Sequence, residues 1–302
     1  MPAAEVDVTP SLVRSLLAEQ HPDLAHLPLT ALAHGWDNVM FRLGDDLTVR
    51  VPRREVAARL IDHEQQVLGY LAERLPLAVP APVRSGSPSD LFPWPWSVAP
   101  WLPGSTVAET DLAAPSEEAQ RLGEFLAALH RPAPDDVPLN RYRGRFVADN
   151  LDVDVQRAAT IADGEVLLDR FVELIHVEPW NRPPVWIHGD LHPANMLATD
   201  RGGGGEISAV IDWGDVCGGD PATDLSVGWS LFGSADRETF RTAAAAEGGE
   251  VDDATWQRAE AWAVHFAIVY RSHSADNPVM AAIADRLVAR LLDDDDVSRR
   301  RR

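Results

Sequence analysis

Apolar positions divide the chain into a strand-rich first part and a helical second part. Residues 29–52 contain three apolar, β-like runs, which are separated by turn-forming residues at 35–38 and 44–46. This spacing predicts two linked hairpins. From Glu55 to Leu75, apolar residues recur at intervals of three and four, which predicts an amphipathic helix that carries Glu64. The first hundred residues are therefore expected to form a small sheet accompanied by this helix.

The helical part follows a segment rich in proline and tryptophan, and the domain boundary is placed there. Helical spacings cover residues 122–129, 163–178, 236–246, 253–270 and 277–292. A further short helix is predicted near the N-terminus, where Thr9 can cap it and Pro10 can be its first residue. The predicted fold class is α+β, with a β-rich domain at 1–101 and a mostly α-helical domain at 102–302.

Composition restricts the cellular compartment in which this protein is expected. No apolar run approaches the roughly 20 residues that span a bilayer, so no membrane helix and no membrane partner are expected. The N-terminal residues lack the basic and apolar regions of a secretory signal. Cys217 is the single cysteine, which excludes an internal disulfide and favours a reducing cytoplasm.

Charge narrows the class of ligand. The formal net charge of −20 argues against binding of nucleic-acid phosphates along a basic surface, and it favours cationic small molecules as partners. All 27 basic residues are arginine. Because the chain contains no lysine, a lysine Schiff base and a P-loop lysine are both excluded.

The segment HGDLHPAN at 188–195 concentrates polar chemistry in a short loop. It follows the apolar run VWIH and leads into a predicted hairpin, which pairs the residues after Asn195 with those before Asp212 across a glycine-rich loop. This pairing places Asn195 and Asp212 opposite one another, with Asp190 entering the same edge. Their oxygen atoms suit Mg²⁺, which takes a few protein ligands and completes its shell with water and substrate phosphates.

These residues carry a resemblance to a known family. His188, Asp190 and Asn195 match the kinase pattern H-x-D-x-x-x-x-N, and Asp212-Trp213-Gly214 stands where protein kinases have D-F-G. The stretch IHGDLHPANML…VIDWGDVCGGDPATDL resembles the aminoglycoside phosphotransferase family, over most of the chain. The resemblance implies a two-lobed, protein-kinase-like fold, with a small β-rich N-terminal lobe that binds nucleotide and a larger, mostly α-helical C-terminal lobe.

The same resemblance implies roles for individual residues. Asp190 is expected to be the catalytic base, and Asn195 and Asp212 are expected to bind Mg²⁺. His188 is expected to support the loop backbone. Glu64 is expected to pair with a phosphate-contacting cation on the third strand.

Two departures from the kinase pattern concern the nucleotide site. Arg50 in LTVRVPR stands at the position of the third-strand lysine, and its guanidinium is permanently charged and matches phosphate geometry. The loop HGWDNVMF contains one glycine rather than a G-x-G-x-x-G run. Its position one hairpin before Arg50 makes Gly35, Asp37 and Asn38 candidate nucleotide contacts, with a simple turn as the alternative.

The segment SVAPWLPG is the candidate hinge for the purine. Pro100 has no N–H to donate, so Ala99 or Trp101 is expected to supply a single backbone donor. With so few donors, no strict choice between ATP and GTP is expected.

Acidic residues suggest the chemistry of the acceptor substrate. The kinase-like resemblance places Asp149, Asp152 and Asp154 beside the acceptor side of the cleft. Negative walls concentrate cations, although such residues also serve simply to keep a surface soluble. The predicted function is therefore a Mg²⁺- and ATP- or GTP-dependent O-phosphotransferase for a small, cationic, hydroxyl-bearing acceptor, of aminoglycoside or macrolide type.

Three alternatives stay open at this point. A kinase of a small metabolite, of choline, homoserine or sugar type, would use the same fold. HGDLH could also hold zinc in a metal-dependent hydrolase, but the other eight histidines form no second ligand motif. A nucleotide-binding pseudokinase would keep the fold without catalysis, and the intact Asp190, Asn195 and Asp212 argue against it.

Overall fold

The computed structural model describes residues 3–34, 38–246 and 251–300. The chain forms two compact units. The first comprises Met1–Pro103 and Val210–Gly214, and the second comprises Gly104–Ala209 and Asp215–Arg302. The roles assigned to the predicted domains 1–101 and 102–302 stay predictions.

The strands and the α-helices have the following bounds, each numbered in chain order. The strands are β1 (Leu29–His34), β2 (Asn38–Leu43), β3 (Leu47–Pro52), β4 (Arg84–Gly86), β5 (Trp96–Pro100), β6 (Ser105–Thr106), β7 (Val185–Ile187), β8 (Met196–Asp200), β9 (Gly205–Val210) and β10 (Cys217–Gly219). The α-helices are α1 (Pro10–Gln20), α2 (Glu55–Ala72), α3 (Pro115–Leu129), α4 (Leu151–Ala158), α5 (Gly164–Leu174), α6 (Ala222–Leu225), α7 (Val227–Leu231), α8 (Ser234–Ala244), α9 (Asp253–His273) and α10 (Pro278–Arg300).

The first unit is built on an antiparallel sheet in the order β1-β2-β3-β5-β4. The two linked hairpins predicted from the sequence are confirmed as β1-β2 and β2-β3. Helix α1 begins as predicted, because Thr9 Oγ1 accepts a hydrogen bond from Leu12 N–H at 3.2 Å. Its buried face, with Leu16 and Leu17, joins Phe41 and Trp96 of the sheet in one apolar core.

Helix α2 confirms the amphipathic helix predicted from Glu55. Its buried face carries Ile61, Leu68 and Leu71 together with Glu64, which is only 3% exposed. The spacing of three and four residues places all four side chains on one face. A carboxylate on such a face is costly unless it is paired, so the position of Glu64 requires a cation.

The second unit is mostly helical. Helix α9 is its central element, because it packs against α4, α5, α6, α7 and α10. Short strands form the sheets β6-β8-β9 and β10-β7. The predicted hairpin is confirmed, since β8 and β9 are neighbours. Together the two units confirm the predicted α+β class.

Within the described ranges, no helix is both long enough and apolar enough to cross a bilayer.

Candidate active site

The HGDLHPAN loop follows β7 and is held by Asp224. The Asp224 carboxylate accepts backbone hydrogen bonds from His188 at 2.8 Å and from Gly189 at 2.9 Å, and it lies 3.2 Å from His130 Nε2. Asp224 is completely buried. Gly189 has a φ of +86°, and a Cβ there would lie 2.6 Å from the Asp215 carbonyl oxygen. These contacts fix the loop as it leaves the strand.

Within the loop, His188 and Asn195 both bind the backbone of Asp190. The Asp190 N–H donates to Nδ1 of the buried His188 at 3.2 Å, and Asn195 Nδ2 donates to the Asp190 carbonyl oxygen at 2.9 Å. The second hydrogen bond orients the Asn195 amide and leaves its Oδ1 as the atom that could bind a cation. The loop-support role of His188 has the contact it needs and stays a prediction.

The Asp190 carboxylate lies against Arg143, a residue that the sequence analysis did not single out. Arg143 Nη2 donates to Asp190 Oδ1 at 2.8 Å, and His192 Nε2 lies 3.7 Å from Oδ2. Burial would raise the pKa of Asp190, but the Arg143 guanidinium and both neighbouring histidines hold that pKa below its usual range. Asp190 is therefore an ionised carboxylate with one oxygen engaged.

Replacing Asp224 by alanine should unfold the second unit more readily. The change leaves the His188 and Gly189 amides without their hydrogen-bond acceptor inside the protein, and we expect a loss of about 3–5 kcal/mol of unfolding free energy. Urea denaturation measures it. The exposed Asp152 supplies the control, because Asp152→Ala should change stability by less than about 0.5 kcal/mol. Equal stability of the two variants would show that Asp224 does not hold the loop.

The first unit contains a second group of polar residues, centred on Arg50 of β3. Arg50 Nη1 donates to Glu64 Oε1 at 2.5 Å, and Nη2 donates to Asp212 Oδ1 at 3.1 Å. With the Asn38 amide turned so that its oxygen faces Arg50, that oxygen accepts from Nη2 at 3.0 Å and from Nε at 3.1 Å. One guanidinium thus brings together three of the predicted site residues.

The carboxylates of Glu64 and Asp212 both pair with the Arg50 guanidinium, and the pKa values of Glu64 and Arg50 reflect this arrangement. Burial raises the pKa of Glu64 to about 7, although Arg50 acts to lower it, and the charge of Asp212 adds to the rise. Arg50 stays charged, because its ion pairs raise its pKa in spite of burial. Asp212 has a φ of +61°, which is uncommon for a residue other than glycine. Such backbone strain is a frequent feature of functional sites.

The predicted purine donors need a correction. The Trp101 N–H already donates to the Asp46 carbonyl oxygen at 2.7 Å, so it is not available to a ligand. Ala99 lies within β5 opposite Thr48 of β3 and two residues before Trp101, so its N–H faces β3 as the Trp101 N–H does. The sequence analysis missed this because strand pairing, rather than residue type, determines which backbone groups are already engaged. Gly35 and Asp37 lie outside the described residues.

The three candidate acceptor contacts differ in their positions. Asp154 is completely buried, and its carboxylate pairs with His265 Nδ1 at 2.6 Å and with Arg157 Nη1 at 3.4 Å. Its carboxylate belongs to the core of the second unit, so an acceptor substrate does not reach it. Asp149 and Asp152 are exposed.

A comparison with protein-family models identifies the class of protein. The model of the phosphotransferase enzyme family matches residues 28–262. This chain therefore belongs to that family, whose members transfer phosphoryl groups to hydroxyl groups, and the hydrolase alternative is excluded. No curated protein sequence matches the chain.

Solved structures with the same fold agree with this assignment. The GDP complex of wild-type aminoglycoside 2'-phosphotransferase-IIIa has 19% identity and a TM-score of 0.68, with 95% of this chain and 100% of that chain covered. The apoenzyme of macrolide 2'-phosphotransferase MphH from Brachybacterium faecium has 24% identity and a TM-score of 0.62, with 92% and 97% covered. ADP-bound aminoglycoside phosphotransferase APH(2'')-Ib has 19% identity and a TM-score of 0.55, with 93% and 97% covered. At these identities the likeness establishes the kinase-like fold.

Proposed function

We propose that this protein transfers the γ-phosphoryl group of a Mg-nucleotide to a hydroxyl group of a small, antibiotic-like acceptor substrate. The observation that carries the proposal is the Arg50 guanidinium bound to both Glu64 and Asp212. Phosphate binding in this fold requires a third-strand cation paired with a helix carboxylate and, next to it, the metal-binding aspartate of the D-W-G segment, and Arg50, Glu64 and Asp212 bring these groups together. The ionised Asp190 in the second unit supplies the complementary base.

The proposed ligands have the chemistry that a magnesium ion prefers. Asn195 Oδ1 and the Asp212 carboxylate are hard oxygen ligands, and Mg²⁺ commonly takes one or two protein groups beside phosphate oxygens and water. When bound, the ion would neutralise charge that develops on the phosphates. Arg50 would then bind the phosphates, and Glu64 would keep its guanidinium oriented.

Asp190 would act on the acceptor hydroxyl. Since Arg143 occupies Oδ1, the other oxygen, Oδ2, would take the hydroxyl proton. The acceptor oxygen forms a bond to phosphorus, and the bond from that phosphorus to the β–γ bridging oxygen breaks. Its electron pair leaves with the nucleoside diphosphate, so atoms and charge balance.

The backbone donor for the purine can be assigned from the direction in which the N–H and C=O groups point after β5. Along an extended chain these groups alternate sides, and Trp101 N–H points towards Asp46. The Pro100 carbonyl and the Leu102 N–H therefore face the opposite way, and we assign the backbone donor to Leu102. One donor reads little of a purine, so ATP or GTP should serve. The relatives bound to GDP and to ADP are consistent with either base.

Purine selectivity tests this assignment. The ratio of kcat/KM for ATP and GTP should stay below roughly 10³, which corresponds to about 4 kcal/mol. Steady-state kinetics at saturating Mg²⁺ and a fixed acceptor concentration give the ratio. A larger preference would require a side chain that reads the base edge, and it would rule out recognition by Leu102 alone.

Nucleotide affinity should depend on pH through Glu64. With a pKa of about 7, Glu64 becomes neutral as the pH falls below that value and then no longer restrains Arg50 by charge. We expect the Kd for Mg-nucleotide to rise by up to about 10-fold between about pH 8 and about pH 6. Calorimetric titration measures it. Glu64→Gln removes the titrating group and should flatten this dependence; an equally steep profile in that variant would assign it to the nucleotide.

The acceptor proposal rests on charge and on the relatives. The relatives named above act on aminoglycosides and macrolides by their descriptions, and the net charge of −20 favours a cationic molecule. A panel with kanamycin, gentamicin, streptomycin, a macrolide, choline, homoserine and a neutral sugar, assayed for nucleotide-dependent phosphorylation, tests the function. Phosphorylation of an antibiotic supports the proposal, phosphorylation of a metabolite alone supports the alternative kinase, and no transfer to any of them contradicts both.

A further inference from the structure

Residues 137–144, here called the strap, form a segment of the second unit that is neither helix nor strand. Both ends of the strap hydrogen-bond to β10 or to the residue that follows it. The Gly218 N–H donates to the Pro138 carbonyl oxygen at 3.1 Å, and the Asp220 N–H donates to the Gly144 carbonyl oxygen at 3.0 Å. The strap therefore lies along β10.

Glycine in both segments permits this close approach. A Cβ on Gly144 would lie 2.8 Å from the Gly219 Cα, and a Cβ on Gly219 would lie 2.3 Å from the Gly144 Cα. Gly144 also has a φ of +65°, which other residues rarely adopt. The position of the strap is therefore set by backbone contact as well as by hydrogen bonds.

Side-chain hydrogen bonds fix the strap between its ends. Asn140 Nδ2 donates to Asp215 Oδ1 at 2.6 Å, and Asn140 Oδ1 accepts from the Tyr142 N–H at 2.9 Å. An asparagine that bonds the backbone two residues further on forms a turn. Arg143 directly follows this turn, so its side chain starts from a fixed point of the backbone.

The HGDLHPAN loop is attached to the same small sheet as the strap. Strand β10 pairs antiparallel with β7, and Cys217 lies opposite Ile187. The loop begins at His188, directly after β7. Because the strap lies along β10 and the loop leaves β7, this two-stranded sheet sets the separation between them.

Arg143 spans that separation. Its Nη2 donates to Asp190 Oδ1 at 2.8 Å, and its guanidinium lies 5.2 Å from the centre of the Phe266 ring. Phe266 belongs to α9, which packs against several other helices of the second unit. The strap thus fixes the backbone of Arg143, and an aromatic ring on a packed helix supports its guanidinium.

The Asp190 carboxylate needs such a contact to keep one orientation. The terminal torsion of an aspartate is broad and roughly two-fold, so its two oxygens exchange places unless one of them is bound. His192 Nε2 lies 3.7 Å from Oδ2, which is too far for a hydrogen bond. The contact with Arg143 fixes Oδ1, and it leaves Oδ2 for a substrate on a side chain that is 26% exposed.

We propose that Arg143, carried by the strap, is a positioning residue of the phosphoryl transfer, and that it holds Asp190 so that Oδ2 receives the proton of the acceptor hydroxyl. This inference deepens the proposed function and rests on it. Arg143 keeps its own proton throughout. When the hydroxyl proton moves to Oδ2, the neutral acid still accepts the Arg143 hydrogen bond at Oδ1. Arg143 therefore acts through Asp190 and makes no bond to the transferred phosphoryl group.

The first test replaces Arg143 by methionine, which has a similar length and no hydrogen-bond donor. With an acceptor that wild type phosphorylates, kcat should fall at least about 10-fold, because the base is no longer held in its productive orientation. The KM for nucleotide should stay within about 2-fold of wild type. Arg145→Met, two residues further on, is the matched control and should keep the wild-type kcat.

A double-mutant cycle distinguishes positioning of the base from a general structural role. Asp190→Asn lacks the base, so orientation of that side chain no longer affects the proton transfer. Adding Arg143→Met to Asp190→Asn should therefore lower the residual kcat by less than about 2-fold. A residue that only stabilises the fold would lower kcat by the same factor in both backgrounds.

Chemical rescue provides an independent readout. Arg143→Ala leaves space where the guanidinium stood, and guanidinium chloride, far below denaturing concentrations, should raise its kcat at least about 5-fold. Urea has nearly the same planar shape without the charge, so it is the control and should leave kcat unchanged. Guanidinium should also leave the kcat of Arg145→Ala unchanged.

The outcomes separate this inference from the function on which it rests. No transfer by wild type to any acceptor of the panel overturns the proposed function, and the positioning role with it. Transfer by wild type together with a normal kcat in Arg143→Met, an equal loss in both backgrounds of the cycle, or no rescue by guanidinium overturns the positioning role alone. If Arg143→Met does not fold, Arg143→Lys, which keeps the charge but not the planar group, enters the cycle under the same criterion.

Discussion

Replacing Asp190 by asparagine is expected to lower kcat at least about 10²-fold while nucleotide affinity stays nearly unchanged. Asparagine has the same shape, so its carbonyl oxygen can still accept the hydrogen bond that Arg143 donates to Oδ1. It cannot take a proton from an acceptor hydroxyl. The effect should therefore fall on the chemical step.

A matched control keeps this result interpretable. Asp200 ends β8, is exposed, and accepts a hydrogen bond from Gly202 N–H at 2.7 Å. Asparagine can replace it in that contact, so Asp200→Asn should retain full turnover and stability. Near-normal turnover in Asp190→Asn, measured under single-turnover conditions with saturating Mg-nucleotide, would remove Asp190 from the role of base.

The second large effect is expected at Asp212. Asp212→Ala should weaken Mg²⁺-dependent nucleotide binding at least about 10²-fold, because the variant lacks the only carboxylate proposed as a ligand of the ion. Asn195→Ala should weaken binding less, since an amide oxygen is a neutral ligand. Calorimetric titration of nucleotide with and without Mg²⁺ separates the metal-dependent part of the affinity.

Asp212 also pairs with Arg50, so the variants need a reference that leaves this ion pair intact. Asp62 is exposed on α2 of the same unit, and Asp62→Ala should bind Mg-nucleotide like wild type. If Asp212→Ala and Asn195→Ala also bind like wild type at every Mg²⁺ concentration, neither residue is a metal ligand.

The local sequence pattern was sufficient to predict secondary-structure elements of the first unit. The alternation in residues 29–52 and the turn residues between the runs predicted β1, β2 and β3, and the helical spacing after Glu55 predicted α2. Both patterns arise from contacts between residues close in the chain, which is why they can be recognised in one sequence. The same argument placed Glu64 on α2 and Arg50 on β3, and the two residues pair as the family resemblance implied.

Contacts between distant segments required the tertiary structure. Arg143 precedes Asp190 by 47 residues, and nothing in RYRGR distinguishes it from its neighbours. Asp154 stands in the first turn of a short helix, where acidic residues are usually exposed, and the approach of His265 on α9 gives its buried carboxylate a hydrogen-bond partner. Periodicity reports that a face is buried, and it does not report which distant group covers that face.

The sequence by itself determined the α+β class, the strands of the first unit, the long helices and the motif residues Asp190, Asn195 and Asp212. The tertiary structure decided which backbone donors are already engaged, as at Trp101, and which segment returns to the first unit, as Val210–Gly214 does. It also decided that Arg143 lies beside Asp190, the proposed base. The physical reason is that secondary structure depends on neighbours along the chain, whereas the charge and hydrogen bonding of a site depend on neighbours in space.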